Sequence, residues 1–565
     1  MKNILIGGAW PYANGSLHIG HIAALLPGDI LARYHRAIGD RVYYVSGSDC
    51  HGTPVTIRAR QEGRSPQEIS DAYHEEFTLV FNAFGFSYDL YTKTSSAQHK
   101  AFVREFHRIL YAGEYVYEAT VKQARCPRCA KVLTDRLIVG KCPACGAATR
   151  GDQCDACGEI PDADTIVDAR CADCGSALDF GETTQLFLSI SKLEYRLTDY
   201  LNAHKTWRKN AVAFTKRYIG EGLRDRAITR DLDWGIDVPK EGYGSKRIYI
   251  WAENVLGYLS ASASVCANRG ESWDALFGEN ARHYYVHGKD NIPFHTIILP
   301  SLLLGHGGGL RLPDEIVSSE YLTLDGRKIS TSLNWAIWAK DIIDRYNPDA
   351  LRYFFIANGP EKRDTDFSWR EFVERSNSEL LGAYGNFVNR SLVFIKKYYG
   401  GRVPDGVGGE VGNGVGGAEI QERIAAAYAS VGAKIERTRF KDALDEIFEL
   451  TRFGNQYFDT EQPWAAREKD PKKCAAALFN CVQIVANLAA LLAPFLPFSS
   501  ERVLGWLSQT AEWSIKRVAP GYELPEISIL FERLDKSVVD EERARLSNRA
   551  APHNQTETLG HDFRP

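Results

Sequence analysis

Eight of the chain's 12 cysteines fall into four C-x-x-C pairs: Cys126–Cys129, Cys142–Cys145, Cys154–Cys157 and Cys171–Cys174. The N-terminus, MKNILIGGAWPYANG, has one lysine and lacks the long apolar core of a leader peptide, which predicts a cytosolic chain. In a reducing compartment this pattern favours zinc over disulfides. Four thiolates complete one tetrahedral site, so eight predict two structural zinc ions with no open coordination position. The spacing predicts nesting: Cys142, Cys145, Cys154 and Cys157 form an inner knuckle, and Cys126, Cys129, Cys171 and Cys174 an outer one.

The segments flanking this insert, roughly 116–180, read as α/β. Residues 3–9 form a short apolar strand ending on glycines. LHIGHIAALLPGDILARYHRAIG follows as a helix with a bend at Pro27, and residues 42–49 form a second strand ending on Asp49. Strand, helix, strand predicts a parallel sheet. RIYIW (247–251) and HYYVHG (283–288) predict further strands beyond the insert, separated by a helical stretch. From about 375 the pattern is that of a helical bundle. The most apolar stretch, Cys474–Pro497, contains Asn480, Gln483 and Asn487, which predicts a buried bundle helix rather than a membrane span. Half the residues in 400–417 are glycine. Without the Lys-Ser/Thr of a phosphate loop, that run predicts a flexible connection, and the polar last 30 or so residues predict a frayed tail. The fold class is α/β: a Rossmann-type parallel sheet split by a zinc-binding insert, then an α-helical bundle. Net charge is −4, so any nucleic-acid surface must be a local basic patch.

Two elements carry nucleotide chemistry. His18-Ile-Gly20-His21 sits where the first strand feeds a helix, whose N-terminal N–H groups and dipole suit an anion. The two imidazoles share a face and can donate to phosphate oxygens, while Gly20 permits close approach. Residues 326–332, Gly-Arg-Lys-Ile-Ser-Thr-Ser, place Lys328 on a glycine turn beside the hydroxyls of Ser330, Thr331 and Ser332. A lysine there neutralises charge that builds on departing pyrophosphate.

Together these resemble the HIGH and KMSKS signatures of class I aminoacyl-tRNA synthetases, the second with Ile329 for the usual Met and Thr331 for the usual Lys. The resemblance extends over about 1–510. It is to bacterial methionyl-tRNA synthetases, through AWPYANGSLHIGH, GSDCHGTP, AITRDLDWG, IWAENVLGY, HGKDNIPFH, RDTDFSW and EQPW. It implies that Asp49 holds the substrate ammonium and that Tyr12, Trp251, Tyr258 and His295 form the side-chain pocket. Arg230 would pair with a carboxylate or the α-phosphate, and Lys289 would lie near the nucleotide. Trp10 replaces the usual Leu, Asn254 the usual Ala and Leu299 the usual Trp or Phe. It further implies that Asn386, Arg390 and Trp464, the last in a loop before a helix, read the anticodon.

The expected domains are 1–115 and 181–320 for the Rossmann halves and 116–180 for the insert. Residues 321–374 would contact the tRNA stem, 375–510 the anticodon, and 511–565 form an extension. The insert is too short for a large hydrolytic editing domain. The expected reaction consumes ATP with Mg2+ and joins methionine to tRNA(Met) in a cytoplasmic monomer that touches no membrane. Two other readings compete with it: a paralogue that passes a different amino acid to a non-tRNA acceptor, and a non-catalytic tRNA- or zinc-binding regulator. The single methionine, Met1, suits an enzyme made while methionyl-tRNA is scarce.

Overall fold

The computed structural model describes residues 1–550 except 152, 153, 155, 160, 331–333 and 407–416; of residues 135 and 548–550 it describes the backbone alone. At its centre is a five-stranded sheet of β1 (Asn3–Gly8), β2 (Arg41–Ser48), β3 (Leu90–Lys93), β4 (Ala281–Gly288) and β5 (Glu315–Ser319). The order across the sheet is β5-β4-β1-β2-β3, and every pairing is parallel. Alternate side chains feed two cores. Ile4, Ile6, Val42 and Tyr44 enter one face, and Leu5, Tyr43 and Val45 the other, as the two-residue period of a doubly covered strand requires. Helix α1 (Ile19–Ala37) follows β1 and contains Pro27. The strand order reverses between β1 and β4, and open α/β sheets bind ligands at that switch point, beyond the carboxyl ends of the strands.

The insert leaves on the strand Val116–Cys126 and returns on Asp179–Leu188, its antiparallel partner. Beyond this ribbon lies a small sheet with Ile138–Lys141 between Ala148–Arg150 and Val167–Cys171. RIYIW departs from expectation: only Arg247–Ile248 is a strand, paired with Thr229–Arg230, and Ile250–Ala252 is a 3-10 turn. A short apolar run reads the same whether it packs in a sheet or as a buried turn.

The bundle is built on Pro471–Leu492, the one helix among the described residues long and apolar enough to cross a membrane; 94% of its most apolar part is buried. Its polar interruptions have partners. The Gln483 and Asn487 amides exchange hydrogen bonds with the backbone of Val518 and Lys516, and Asn480 donates to the Tyr457 hydroxyl. The segment after the bundle is therefore docked. Residues Ser537–Ala550 form a helix whose Glu542 accepts from Arg345 and Tyr346, so the tail does not fray before 550. Residues 551–565, and most of the glycine run, lie outside the described residues.

Candidate active site

A cleft of about 420 Å³ opens at the switch point. The N-terminus of α1 forms one wall, and His18 is its N-cap. The His18 Nδ1 accepts from the Gly20 N–H at 3.1 Å, the His21 Nδ1 accepts from the His18 N–H at 3.1 Å, and the two rings stack 3.8 Å apart. With both Nδ1 atoms accepting, a neutral imidazole carries its proton on Nε2, so each ring keeps one donor for a ligand. Both rings are neutral near pH 7: burial lowers His21 to about 4, and burial and then His21 hold His18 well below its usual range. A Cβ at position 20 would lie 2.9 Å from the His18 ring, so the glycine preserves this cap as well as access to the backbone.

Asp49 follows β2 and is fully buried. Its backbone pairs with the segment after β1, through Ala13 N–H to its carbonyl and its own N–H to Pro11, both 2.8 Å. Its Oδ2 accepts from Asn254 Nδ2 at 2.9 Å, and burial, then the neighbouring Glu253 charge, push its pKa well above the carboxylate range. Glu253 is buried too. Burial opposes its ionisation, but His51 and His99 outweigh that and keep it below its usual range, with Oε1 2.5 Å from His51 Nδ1. His295 donates from Nδ1 to the Asn291 carbonyl and accepts from the Tyr258 hydroxyl at Nε2, each 2.8 Å, and burial lowers its pKa to about 4. Trp10 meets Tyr258 edge-on at 6.4 Å, and Trp251 packs 4.4 Å from Phe294.

Lys328 sits on the hairpin of Leu322–Leu324 and Arg327–Lys328. Its turn residues, Asp325 and Gly326, have φ of 46° and 75°, the left-handed pair that a two-residue hairpin loop demands and that Asp-Gly supplies. The ammonium of Lys328 lies 4.9 Å from the centre of the Tyr321 ring, at the edge of the cleft. Ser330 pairs with Trp335 across a tight loop, while Thr331 and Ser332 fall outside the described residues.

The cleft is thus lined by Trp10, Tyr12, His18, Gly20, His21, Trp251, Asn254, Tyr258, His295 and Lys328, with Asp49 held beneath Asn254. Two expected residues lie beside the cleft rather than on its lining. Lys289 stands between the cleft residues Gly288 and Asp290 and pairs with Glu320, also a cleft residue, and with Asp364, at 2.9 and 2.7 Å. Arg230 lies 4.0 Å over the Tyr249 ring and donates to the carbonyls of Ala227 and Thr229; it lines a neighbouring cavity that shares Trp251 with the cleft. Leu299 is buried in the core. Sequence reasoning missed Arg136 and Arg150, which reach the cleft from the insert and carry no local motif. It also passed over the Glu253–His51 pair, although both residues lie inside the quoted motif segments.

Each predicted cysteine quartet is assembled, with sulfurs within 4.8 Å of one another. Zn–S bonds of ~2.3 Å around a tetrahedron place sulfurs ~3.8 Å apart. Cys126–Cys174 and Cys129–Cys171 are 3.4 and 3.9 Å apart, and Cys142–Cys157 and Cys145–Cys154 are both 3.7 Å. The donor sets fit zinc.

On the bundle, Asn386 and Arg390 stand one turn apart on Asn386–Tyr398. The Arg390 guanidinium lies 4.2 Å from the Phe458 ring and 5.9 Å from that of Trp464, and donates to Asp459. Trp464 is 47% exposed and belongs to a short helix, Pro463–Lys469, rather than the expected loop, because Pro463 is well suited to a first helical turn.

Residues 4–392 match the family described as tRNA synthetases class I (M), and residues 403–554 match the anticodon binding domain of methionyl tRNA ligase. The chain is 51% identical over 549 residues to a methionine–tRNA ligase of Bacillus mycoides, covering 96% of this chain and 99% of that protein. It is 49% identical over 546 residues to methionine–tRNA ligase 1 of Alkaliphilus oremlandii, with the same coverage. A solved structure of Mycobacterium tuberculosis methionyl-tRNA synthetase in complex with methionyl-adenylate shares its fold, with a TM-score of 0.77 at 23% identity over 94% of this chain and 100% of that one.

Proposed function

The chain belongs to the class I methionyl-tRNA synthetases, a family of methionine–tRNA ligases, and we propose that the cleft between β1 and β4 performs both steps of the ligation. The methionine carboxylate attacks the α-phosphate of magnesium-bound ATP, giving methionyl-adenylate and pyrophosphate. A terminal ribose hydroxyl of tRNA(Met) then attacks the carbonyl carbon of the adenylate, forming the aminoacyl ester and releasing AMP. Catalysis is positioning and charge stabilisation, with no covalent nucleophile from the protein.

The observation that carries this reading is the meeting of three groups in one cleft: the His18–His21 cap, Lys328, and the Asp49 pocket. The Nε2–H groups of His18 and His21 donate to phosphate oxygens at the positive end of α1, and Lys328 balances the departing pyrophosphate. Asp49 pairs with the substrate ammonium. Tyr12, Trp251, Tyr258 and His295 enclose the thioether, for which aromatic contacts are favourable. Zinc in the two knuckles holds the insert in shape. Asn386, Arg390 and Trp464 offer stacking and hydrogen bonds to unpaired anticodon bases. On this reading residues 1–115 and 181–320 carry the chemistry, 116–180 the zinc, 321–374 the stem contact and 375–510 the anticodon. The enzyme works as a monomer in the cytoplasm.

ATP–pyrophosphate exchange against a panel of amino acids, with charging of tRNA(Met) in parallel, tests this. Methionine should give the highest kcat/KM and be transferred to the tRNA. Preference for another amino acid, or exchange without charging, would sink it.

A further inference from the structure

Asn254 is an amide with one half in use. Its Nδ2 donates to Asp49 Oδ2 at 2.9 Å, while its Oδ1 is buried without a hydrogen-bond partner among the described residues, and the side chain lines the cleft. A buried carbonyl oxygen left unpaired is costly, which points to an N–H supplied by a ligand. Asp49 has its own need. It is fully buried, its Oδ1 accepts among the described residues from the His51 N–H at 3.3 Å, and the buried Glu253 adjoins Asn254 in the chain. An ammonium entering this site brings three N–H donors, more than one carboxylate oxygen can satisfy away from water. A second carboxylate at position 254 would crowd a third acid against Asp49 and Glu253. A neutral amide oxygen accepts an N–H hydrogen bond without adding charge.

We propose that Asn254 binds the substrate ammonium directly through Oδ1 while its Nδ2 fixes the Asp49 carboxylate, so that the two side chains form one ammonium clamp. This deepens, and rests on, the assignment of Asp49 to the ammonium. The clamp belongs to this chain's own residues, since a small side chain at position 254 could supply neither half. It also makes recognition specific to the amino group: a substrate analogue that keeps the thioether and carboxylate but lacks nitrogen gains nothing from Oδ1.

The test compares wild type with Asn254→Ala in methionine-dependent exchange, and measures calorimetric binding of 4-(methylthio)butanoate, the analogue without the ammonium. KM for methionine should rise roughly 10-fold or more, the range of a hydrogen bond to a charged group, with kcat and KM for ATP little changed. Affinity for the analogue should be the same in both proteins. An unchanged KM for methionine would overturn the proposal. So would an equal loss of affinity for methionine and analogue, which would show that Asn254 only packs the pocket. If Asp49→Ala abolishes exchange while Asn254→Ala does not affect it, the clamp fails and the wider reading stands. If the wild-type protein does not activate methionine, the wider reading fails first.

Discussion

The cysteine-rich insert and the joint between sheet and bundle both link folded parts of one chain, yet they are built in opposite ways. Among the described residues the insert's own core is seven buried residues, of which Cys126 and Cys171 also belong to a cysteine quartet. The joint shares one continuous core, from Ile4 and Tyr44 in the sheet through Leu351 and Phe354 to Leu478 and Leu488 in the bundle. At its centre Arg352 and Asp29, both fully buried, pair at 2.6 Å. Arg352 also donates to the carbonyls of Phe84, Pro494 and Phe495, which ties α1, the end of helix Pro66–Ala83 and the bundle together. Burial opposes ionisation of Asp29, but Arg33, Arg352 and Ser87 hold its pKa down to about 2. Where apolar surface is scarce, the chain gathers thiolates that fit a metal; where it is plentiful, a buried ion pair fixes geometry.

The sharpest way to break this contrast is to remove the metal. Metal analysis should find two zinc ions per chain, and each site is worth on the order of 10 kcal/mol of local folding energy. After chelation, hydrogen exchange over 126–174 should rise while Pro471–Leu492 stays protected. One ion per chain, or joint loss of the bundle, would show that the two regions are not held independently.

Arg352→Ala tests the other side. Leaving Asp29 buried without this partner should cost about 3–5 kcal/mol in denaturant unfolding. The sign with pH follows from the depressed carboxyl: Asp29 adds stability above its unfolded value of ~3.9 and loses it as pH falls toward about 2. In the variant, with the Asp29 pKa raised toward its unfolded value, the fall in stability between pH ~3.9 and about 2 should shrink, so that the variant and wild-type curves converge at low pH. A native-like midpoint with an unchanged acid limb would mean that the apolar core alone makes the joint.

On the proposed function the contrast extends to chemistry on the sheet and recognition on the bundle. Asp49→Ala should lower kcat/KM for methionine by roughly 100-fold or more, since a desolvated ammonium loses its anion, about 3 kcal/mol. The protein should keep its fold; near-normal exchange would disprove the ammonium assignment. Trp464→Ala should weaken charging by ~1–3 kcal/mol of base stacking and leave exchange nearly unchanged. Equal losses in both assays would make that residue part of the scaffold.

Much of this was legible because chemistry was written in contiguous spacing. The nested cysteine quartets followed from C-x-x-C geometry, and the His18–His21 turn from a strand running into a helix. The three polar residues that argued against a membrane span proved to be partners of Tyr457, Lys516 and Val518. Other features were hidden. Arg230 and Lys289 lie in motifs that suggest substrate contact, and only the fold shows which groups stand beside them, Tyr249 for one and Glu320 and Asp364 for the other. Nothing in the insert's sequence announced that Arg136 and Arg150 would reach the cleft. Helix Ser537–Ala550 looked like a polar tail because its anchor, Glu542, is a charge whose partners stand about 200 residues earlier.

The sequence by itself determined the class of fold, the two cysteine quartets and most of the residues that line the cleft, because periodicity and short spacings act within one element or one turn. Only the tertiary structure decided which of those side chains face the cleft, which are held in ion pairs, and that Asn254 turns one half of its amide to Asp49 and leaves the other half without a hydrogen-bond partner among the described residues. The reason is physical: hydrogen bonds and desolvation act over a few ångströms in space, and Asp49 and Asn254, like Asp29 and Arg352, become neighbours only when the folded sheet brings their segments together.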